Sequence, residues 1–107
     1  MHIHYISEEN SILNHFLAQI RDVNIQKDSM RFRKNIERIG EIMAYELSKT
    51  LDYKEIDVQT PLGIKHTTTI AEPVVLCSIL RAGLALHQGF MSFFDNAENG
   101  FVSAYRH

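Results

Sequence analysis

An apolar strand that turns into a helix through a very short link is the feature that most constrains this fold. Residues Val74 to Leu80 form an almost unbroken apolar run, and a helical pattern begins again at Leu84. After the helix comes a polar loop over Asp95 to Gly100, and then a second short apolar segment from Phe101 to Tyr105. A strand, a helix and a strand within this space predict a βαβ unit over residues 74–107, with two parallel strands.

Two helices and a hairpin are predicted before this unit. Ser7 followed by two glutamates is typical of a helix start, and apolar residues recur at helical spacing as far as Ile20. A second stripe predicts a helix from about Met30 to Lys49. From Lys54 to Ile70 the pattern alternates around a tight turn at Thr60 to Gly63, which predicts an antiparallel hairpin with one apolar side. We therefore expect one α/β domain: a helical part over 1–50, a hairpin arm over 54–70 and the βαβ unit over 74–107.

The composition of the chain limits the kinds of molecule that we expect it to bind. With 11 basic and 13 acidic residues the formal net charge is −2, so we expect no nucleic-acid or membrane-surface binding. The N-terminus has no signal-peptide core, and no stretch approaches the roughly 18 apolar residues of a membrane span. The one cysteine, Cys77, falls in the apolar strand, where we expect a buried thiol. A chain with a single cysteine is consistent with a protein of the reducing cytoplasm.

The position of Arg81 indicates an anion-binding loop. Ligands of open α/β sheets bind beyond the carboxyl ends of the strands, and Arg81 follows the first parallel strand. The next helix begins two or three residues later, and a helix N-terminus favours an anion. Gly83 lets the backbone approach a ligand, and a guanidinium matches phosphate oxygens. The loop therefore predicts a phosphate or diphosphate cradle, with an idle arginine at a strand end as the alternative.

A second arginine supports the same ligand. Arg106 follows the second parallel strand, so it is expected at the same sheet edge as Arg81. Adjacent strands lie about 4.8 Å apart, which allows both arginines to share one anion. The alternative is a solvated arginine near the end of the chain. No nucleophile and base stand out as a pair, and the histidines form no metal-ligand pattern, so we predict neither a catalytic residue nor a metal site here.

Five short motifs occur in a specific order along almost the whole chain. They are IRD (Ile20–Asp22), MAYE (Met43–Glu46), TPLG (Thr60–Gly63), ILRAGL (Ile79–Leu84) and YR (Tyr105–Arg106). Together they resemble the N-terminal half of the uracil phosphoribosyltransferase family. The resemblance implies the α/β fold of a type I phosphoribosyltransferase, with its Rossmann-like parallel sheet. It also implies condensation of uracil with 5-phosphoribosyl 1-diphosphate (PRPP) to give UMP and diphosphate, in pyrimidine salvage.

The resemblance also assigns roles to individual residues. It implies that Arg81 and Arg106 contact PRPP, and that Ala82 and Gly83 complete the loop that holds the diphosphate. Mg²⁺ is expected to be carried on the diphosphate. The hairpin arm is expected to reach a second subunit, which implies a homodimer or a higher homo-oligomer.

Some elements of the family have no counterpart in these residues. The family's ribose 5-phosphate loop contains Thr-Gly and follows a strand, whereas Asp95 to Gly100 lacks Thr-Gly and follows the predicted helix. The family's uracil-binding segment lies further towards the C-terminus. His107 stands where the family usually has an acidic residue, and Val23 where many relatives carry lysine. We therefore expect an incomplete phosphoribosyltransferase domain, inactive by itself.

Two other interpretations stay open at the level of sequence. The chain can be a non-catalytic phosphoribosyltransferase-like module that serves dimerisation or nucleotide sensing. It can also be an α/β interaction domain whose arginines are surface charges. PRPP binding separates the last interpretation from the other two.

Overall fold

The computed structural model describes residues 3–80 and 83–103 of the chain. Within these ranges the helices and strands follow the predicted order. In chain order they are α1 (Ile12–Arg21), α2 (Ser29–Ser48), β1 (Tyr53–Thr60), β2 (Gly63–Ile70), β3 (Val75–Leu80), α3 (Leu84–Phe93) and β4 (Glu98–Ser103). Short 3₁₀ turns precede α1, at Ile6–Glu8, and α2, at Ile25–Lys27. None of the helices in these ranges is both long and apolar enough to cross a membrane.

The first helix begins later than its sequence pattern predicts. Ser7 lies inside the 3₁₀ turn, and the residue that caps α1 is Ser11. Ser11 has extended backbone angles, and its hydroxyl accepts a hydrogen bond from the Leu13 N–H at 3.1 Å. Such a bond satisfies one of the N–H groups that a helix start leaves without partners. The prediction of Ser7 as the cap was therefore wrong, because Ser7 and Glu8 belong to a separate 3₁₀ turn that ends before Ser11.

The helices form the core. α2 packs against both α1 and α3, and the buried apolar side chains lie in α1 and α2: Leu13, Ile39 and Ala44. Asn35 is fully buried among them, and its amide donates to Gln19 Oε1 at 2.7 Å. The side-chain oxygen of Asn35 accepts a hydrogen bond from Arg38 at 3.2 Å. The Arg38 guanidinium lies 5.4 Å from the centre of the Phe16 ring. A polar side chain thus joins α1 to α2 within an apolar contact.

The hairpin forms as predicted, but it has no single apolar side. β1 and β2 pair antiparallel from Tyr53 opposite Ile70 to Thr60 opposite Gly63, and Gly63 has a φ of +130°. In an antiparallel pair, residues opposite each other share a face. The register therefore places Ile56 on one face, opposite a threonine, and Ile64 on the other, opposite a glutamine. Each face of the arm mixes apolar and polar side chains.

The βαβ unit is confirmed, with one boundary changed. β3 and β4 pair in parallel, from Val75 opposite Glu98 to Leu80 opposite Ser103. β4 begins at Glu98, whereas the sequence pattern predicts a loop as far as Gly100. The polar residues at its start can enter the strand because they lie at an exposed edge, where polar side chains stay hydrated.

The strand β3 is less buried than its composition predicts. Alternate residues face α3, and Ser78 on that side is buried. Val75 and Ile79 face the other way and are 64% and 61% exposed, and Cys77 between them is also exposed. The prediction of a buried Cys77 thiol was wrong for this chain, because only one face of the two-stranded sheet is covered by a helix within the described ranges.

Candidate functional site

The carboxyl ends of β3 and β4 lie side by side, which is the arrangement that the sequence predicts for the site. Leu80 and Ser103, the last residues of the two strands, are directly paired. Arg81 is next in sequence after Leu80, and Arg106 follows Ser103 by three residues along the chain. Arg81, Ala82 and Arg106 lie outside the described residues, so their assignment to the site stays a prediction.

Gly83 is the predicted site residue that the structure describes. It stands at the start of α3, where its N–H donates to the Ile79 carbonyl at 3.0 Å and its carbonyl accepts from the His87 N–H at 2.9 Å. The first bond holds Gly83 against the end of β3, and the second belongs to the first turn of α3. A Cβ at Gly83 would lie 2.6 Å from Ser78 Oγ and 2.9 Å from the Ile79 carbonyl oxygen. The structure therefore gives Gly83 a packing requirement of its own, in addition to the close ligand approach expected from the sequence.

The N-terminus of α3 has the electrostatic character of an anion site. The first turn of an α-helix has N–H groups without intrahelical partners, and the helix dipole adds a partial positive charge there. Among residues 3–80 and 83–103 no side chain caps this end, and the first turn of α3, from Leu84, contains no acidic residue to neutralise it. This end of α3 follows directly from Gly83. Position and charge together suit a phosphate group.

A contact beneath this turn was missed by the sequence reasoning. His87, one turn into α3, is buried, and its Nε2 lies 2.8 Å from Asn99 Oδ1 in β4. Its ring also lies against Phe101, with ring centres 5.1 Å apart. His87 is four residues beyond Gly83, so helical periodicity places both on one face of α3, and this spacing is the signal that could have identified it.

A large cavity lies elsewhere on the molecule. It is an open groove of about 920 Å³ between the N-terminal segment, α2 and the C-terminal end of α3, with Tyr5, Tyr45 and Phe93 among its lining residues. The ten residues of α3 extend about 15 Å, and this length separates Phe93 from the helix N-terminus. The groove is therefore distinct from the sheet edge that carries the predicted anion site.

The described part of the chain contains no cluster of metal-binding side chains. Residues 3–80 and 83–103 contain no group of three or more histidine, cysteine, aspartate or glutamate side chains that could hold a metal ion. Cys77 is a free thiol on the exposed face of β3. These residues do not form a protein cage for Mg²⁺.

Comparison with known proteins gives one consistent family. The family model described as uracil phosphoribosyltransferase matches residues 6–107. A relative from Porphyromonas gingivalis, named uracil phosphoribosyltransferase, is 51% identical over 99% of this chain and 49% of its own length. One from Sulfolobus acidocaldarius with the same name is 42% identical over 89% of this chain and 44% of its own.

The fold also matches a solved structure. The structure of the AQ2163 protein from Aquifex aeolicus superposes with a TM-score of 0.78 at 27% identity, covering 92% of this chain and 47% of that one. The present chain thus spans about half the length of the curated relatives and of the solved chain that it matches.

Proposed function

The chain belongs to the uracil phosphoribosyltransferase family, and on that premise we propose that it is the N-terminal portion of an enzyme that condenses uracil with PRPP. The products are UMP and diphosphate, as expected for pyrimidine salvage in the cytoplasm. The observation that carries the proposal is the direct pairing of Leu80 with Ser103 beside the N-terminus of α3, whose first turn contains no acidic residue. Two cations and a helix dipole can then act on one diphosphate.

The proposed role of this portion is to bind the diphosphate of PRPP. Arg81 supplies a guanidinium from the β3–α3 link, Ala82 and Gly83 supply backbone, and Arg106 supplies a second guanidinium beyond β4. Charge-assisted hydrogen bonds of this kind are about twice as strong as neutral ones, and the arginine fork suits phosphate oxygens. The packing of Gly83 on Ser78 supports the role, because it holds Gly83 close to β3.

The proposed reaction depends on positioning and electrostatics. The ring nitrogen of uracil bonds to the anomeric carbon of PRPP as the bond to diphosphate breaks, and the proton on that nitrogen is released. Negative charge grows on the leaving diphosphate, so donors fixed around it stabilise the transition state. Mg²⁺ is proposed to arrive on the diphosphate. Residues 3–80 and 83–103 hold no group of three or more side chains that could bind the ion.

The proposed partner besides PRPP and uracil is a second copy of the chain, in a homodimer or a higher homo-oligomer. Two surfaces support it. The uncovered face of the β3–β4 sheet exposes Val75, Ile79 and Val102, and parallel sheets are normally covered on both faces. The hairpin exposes Leu62 at its tip and Ile64 beside it.

Radiolabelled uracil tests the enzymatic function directly. The full-length protein is incubated with uracil, PRPP and Mg²⁺, and UMP is separated by chromatography. We expect UMP to form only when PRPP is present, and a reaction without PRPP is the control. PRPP binding without UMP formation would instead support the alternative of a non-catalytic nucleotide-sensing module, and absence of both would overturn the proposal.

A further inference from the structure

A buried histidine joins the two segments that the proposed function uses. His87 on α3 is 7% exposed, and it contacts β4 twice, through its Nε2 to Asn99 and through its ring to Phe101. Its backbone N–H also donates to the Gly83 carbonyl at the helix start. One residue thus connects the turn that follows Arg81 with the strand that precedes Arg106.

The hydrogen bond between the two side chains has a defined direction. Asn99 Nδ2 donates to the Ala97 carbonyl at 3.2 Å, so the amide presents its oxygen to His87. An amide oxygen only accepts, so His87 Nε2 carries the hydrogen and donates it. His87 is buried whereas Asn99 is exposed, so the bond ties a ring inside the molecule to a side chain at the edge of β4.

We propose that His87 is a positioning residue for PRPP binding: its contacts with Asn99 and Phe101 set the spacing between the α3 N-terminus and the end of β4. This inference rests on the proposed function. Within the described ranges, α3 packs on β3, Gly83 before it lies against Ser78 and Ile79, and the His87 contacts join α3 to β4. A shift of α3 along β4 would therefore move one half of the diphosphate cradle relative to the other.

The spacing between the α3 N-terminus and the end of β4 matters for a geometric reason. A diphosphate bound from two strands needs both sets of donors at hydrogen-bond distance at once, and a misplacement of about 1 Å is enough to weaken such a site strongly. Loss of one neutral, partly buried hydrogen bond corresponds to a change of about threefold to tenfold in an equilibrium constant. We expect an effect of that size on PRPP affinity.

Calorimetric titration of PRPP into the full-length protein tests the role. His87→Leu keeps an apolar side chain in the site but removes the donor, and we expect PRPP to bind about threefold to tenfold more weakly. His87→Gln places an amide N–H at a similar reach, and we expect it to restore most of the affinity. Ile39→Val, which loosens the buried helix core away from the sheet edge, is the matched control for general destabilisation.

The outcomes separate positioning from stability. Positioning predicts that His87→Leu lowers PRPP affinity while Ile39→Val lowers only the melting temperature. Unchanged PRPP affinity in His87→Leu, or equal losses in His87→Leu and His87→Gln with a folded protein, would overturn the proposal.

A second measurement needs no ligand and so separates this inference from the proposed function. The contacts of His87 with Asn99 and Phe101 are here called the tether. Amide hydrogen exchange at the first turn of α3 reports whether the tether stabilises that turn. We expect faster exchange in His87→Leu than in wild type, with recovery in His87→Gln, and no change in the variant His15→Leu, since His15 is exposed on α1. If wild type binds no PRPP but exchange follows this order, the proposed function fails while the tether stands. Unchanged exchange in His87→Leu overturns the tether itself.

Discussion

Gly40 of α2 and Gly89 of α3 lie against each other where the two helices cross. A Cβ built on Gly40 would be 3.2 Å from the Gly89 Cα and 2.5 Å from the Leu86 carbonyl oxygen. A Cβ built on Gly89 would be 2.1 Å from the Glu37 carbonyl oxygen. The two backbones therefore touch without side chains between them. This contact sets how α3, and with it the proposed diphosphate site, lies on the helical core.

The first prediction concerns Gly89→Ala. Alanine in a helix interior gains up to about 1 kcal/mol over glycine. Here the new methyl meets rigid backbone of α2, and overpacking of that kind costs about 1–3 kcal/mol or more. We expect a net loss of stability, seen as a melting temperature lower by several degrees in thermal unfolding followed by circular dichroism.

The control for this prediction is Gly100→Ala in β4. A Cβ at Gly100 would lie 3.7 Å from Cys77 Sγ, which is ordinary contact. We expect the melting temperature of this variant to stay at or above that of wild type. Equal melting temperatures for Gly89→Ala and wild type would show that the helices can separate without cost, contrary to the packing described.

The second prediction concerns the polar link between α1 and α2. Asn35→Ala removes the hydrogen bonds to Gln19 and Arg38 and leaves their polar atoms in a partly buried site. We expect a cost of about 1–3 kcal/mol in the free energy of unfolding, measured by urea denaturation. Asn14→Ala removes an exposed hydrogen bond from Asn14 of α1 to Asn10, which lies just before the helix, and there we expect a change within about 0.5 kcal/mol. Similar losses in both variants would contradict a special role for Asn35.

The βαβ unit and α2 could be predicted from sequence because their signals are local. The change from a period of two to helical spacing identifies the β3–α3 link directly, and the spacing of apolar residues identifies the long helix. The chain order then leaves few arrangements for two parallel strands and one crossover helix. The meeting of the two strand ends at Leu80 and Ser103 follows from that order.

The remaining features depend on contacts that no local pattern encodes. Cys77 is exposed because nothing in the described ranges covers its face of the sheet, whereas the sequence shows only an apolar strand. Ser11 caps α1 instead of Ser7 because the turn between them is a separate one. The spacing of His87 from Gly83 indicates its face of α3, but its pairing with Asn99, twelve residues away, becomes visible only when the helix packs on the strand.

The third prediction concerns Arg81 in the full-length protein. Arg81→Ala removes a charge-assisted contact worth about 1.5–3 kcal/mol, which corresponds to roughly a tenfold to hundredfold loss in PRPP affinity. It is measured as the apparent Michaelis constant for PRPP, or as a loss of turnover, and the melting temperature should barely move. Arg33→Ala, at an exposed arginine of α2, is the control and should leave the PRPP dependence unchanged. The same PRPP dependence in Arg81→Ala and wild type would refute the assignment.

The fourth prediction concerns residues 1–107 by themselves. They span about half the length of the curated relatives, and they contain no counterpart of the family's 5-phosphate loop. We expect no UMP from uracil and PRPP above a control without protein, in a steady-state assay with radiolabelled uracil. Clear turnover by this chain would show that base and 5-phosphate are bound by residues to which we assign no such role.

The fifth prediction is that the chain associates in solution. Val75, Ile79 and Val102 lie on one uncovered face of the β3–β4 sheet, and they are 64%, 61% and 53% exposed. Burying one such side chain is worth about 1.5–3 kcal/mol, so a shared interface should outweigh the hydration of that face. A symmetric dimer buries the same patch on both copies with one contact. Light scattering after size exclusion at micromolar concentration should therefore give at least twice the monomer mass of 12.4 kDa.

Two charged variants identify which surface is responsible. Ile79→Asp should shift the mass towards the monomer if the sheet face is the interface, because a buried unpaired carboxylate is costly. Ile64→Asp tests the hairpin arm in the same way, since Ile64 is 64% exposed beside the turn. Val23→Asp changes an exposed valine outside both surfaces and should leave the mass unchanged. A folded wild-type chain at the monomer mass would show that neither surface drives association, and that the apolar face of β3 and β4 stays hydrated in the isolated chain.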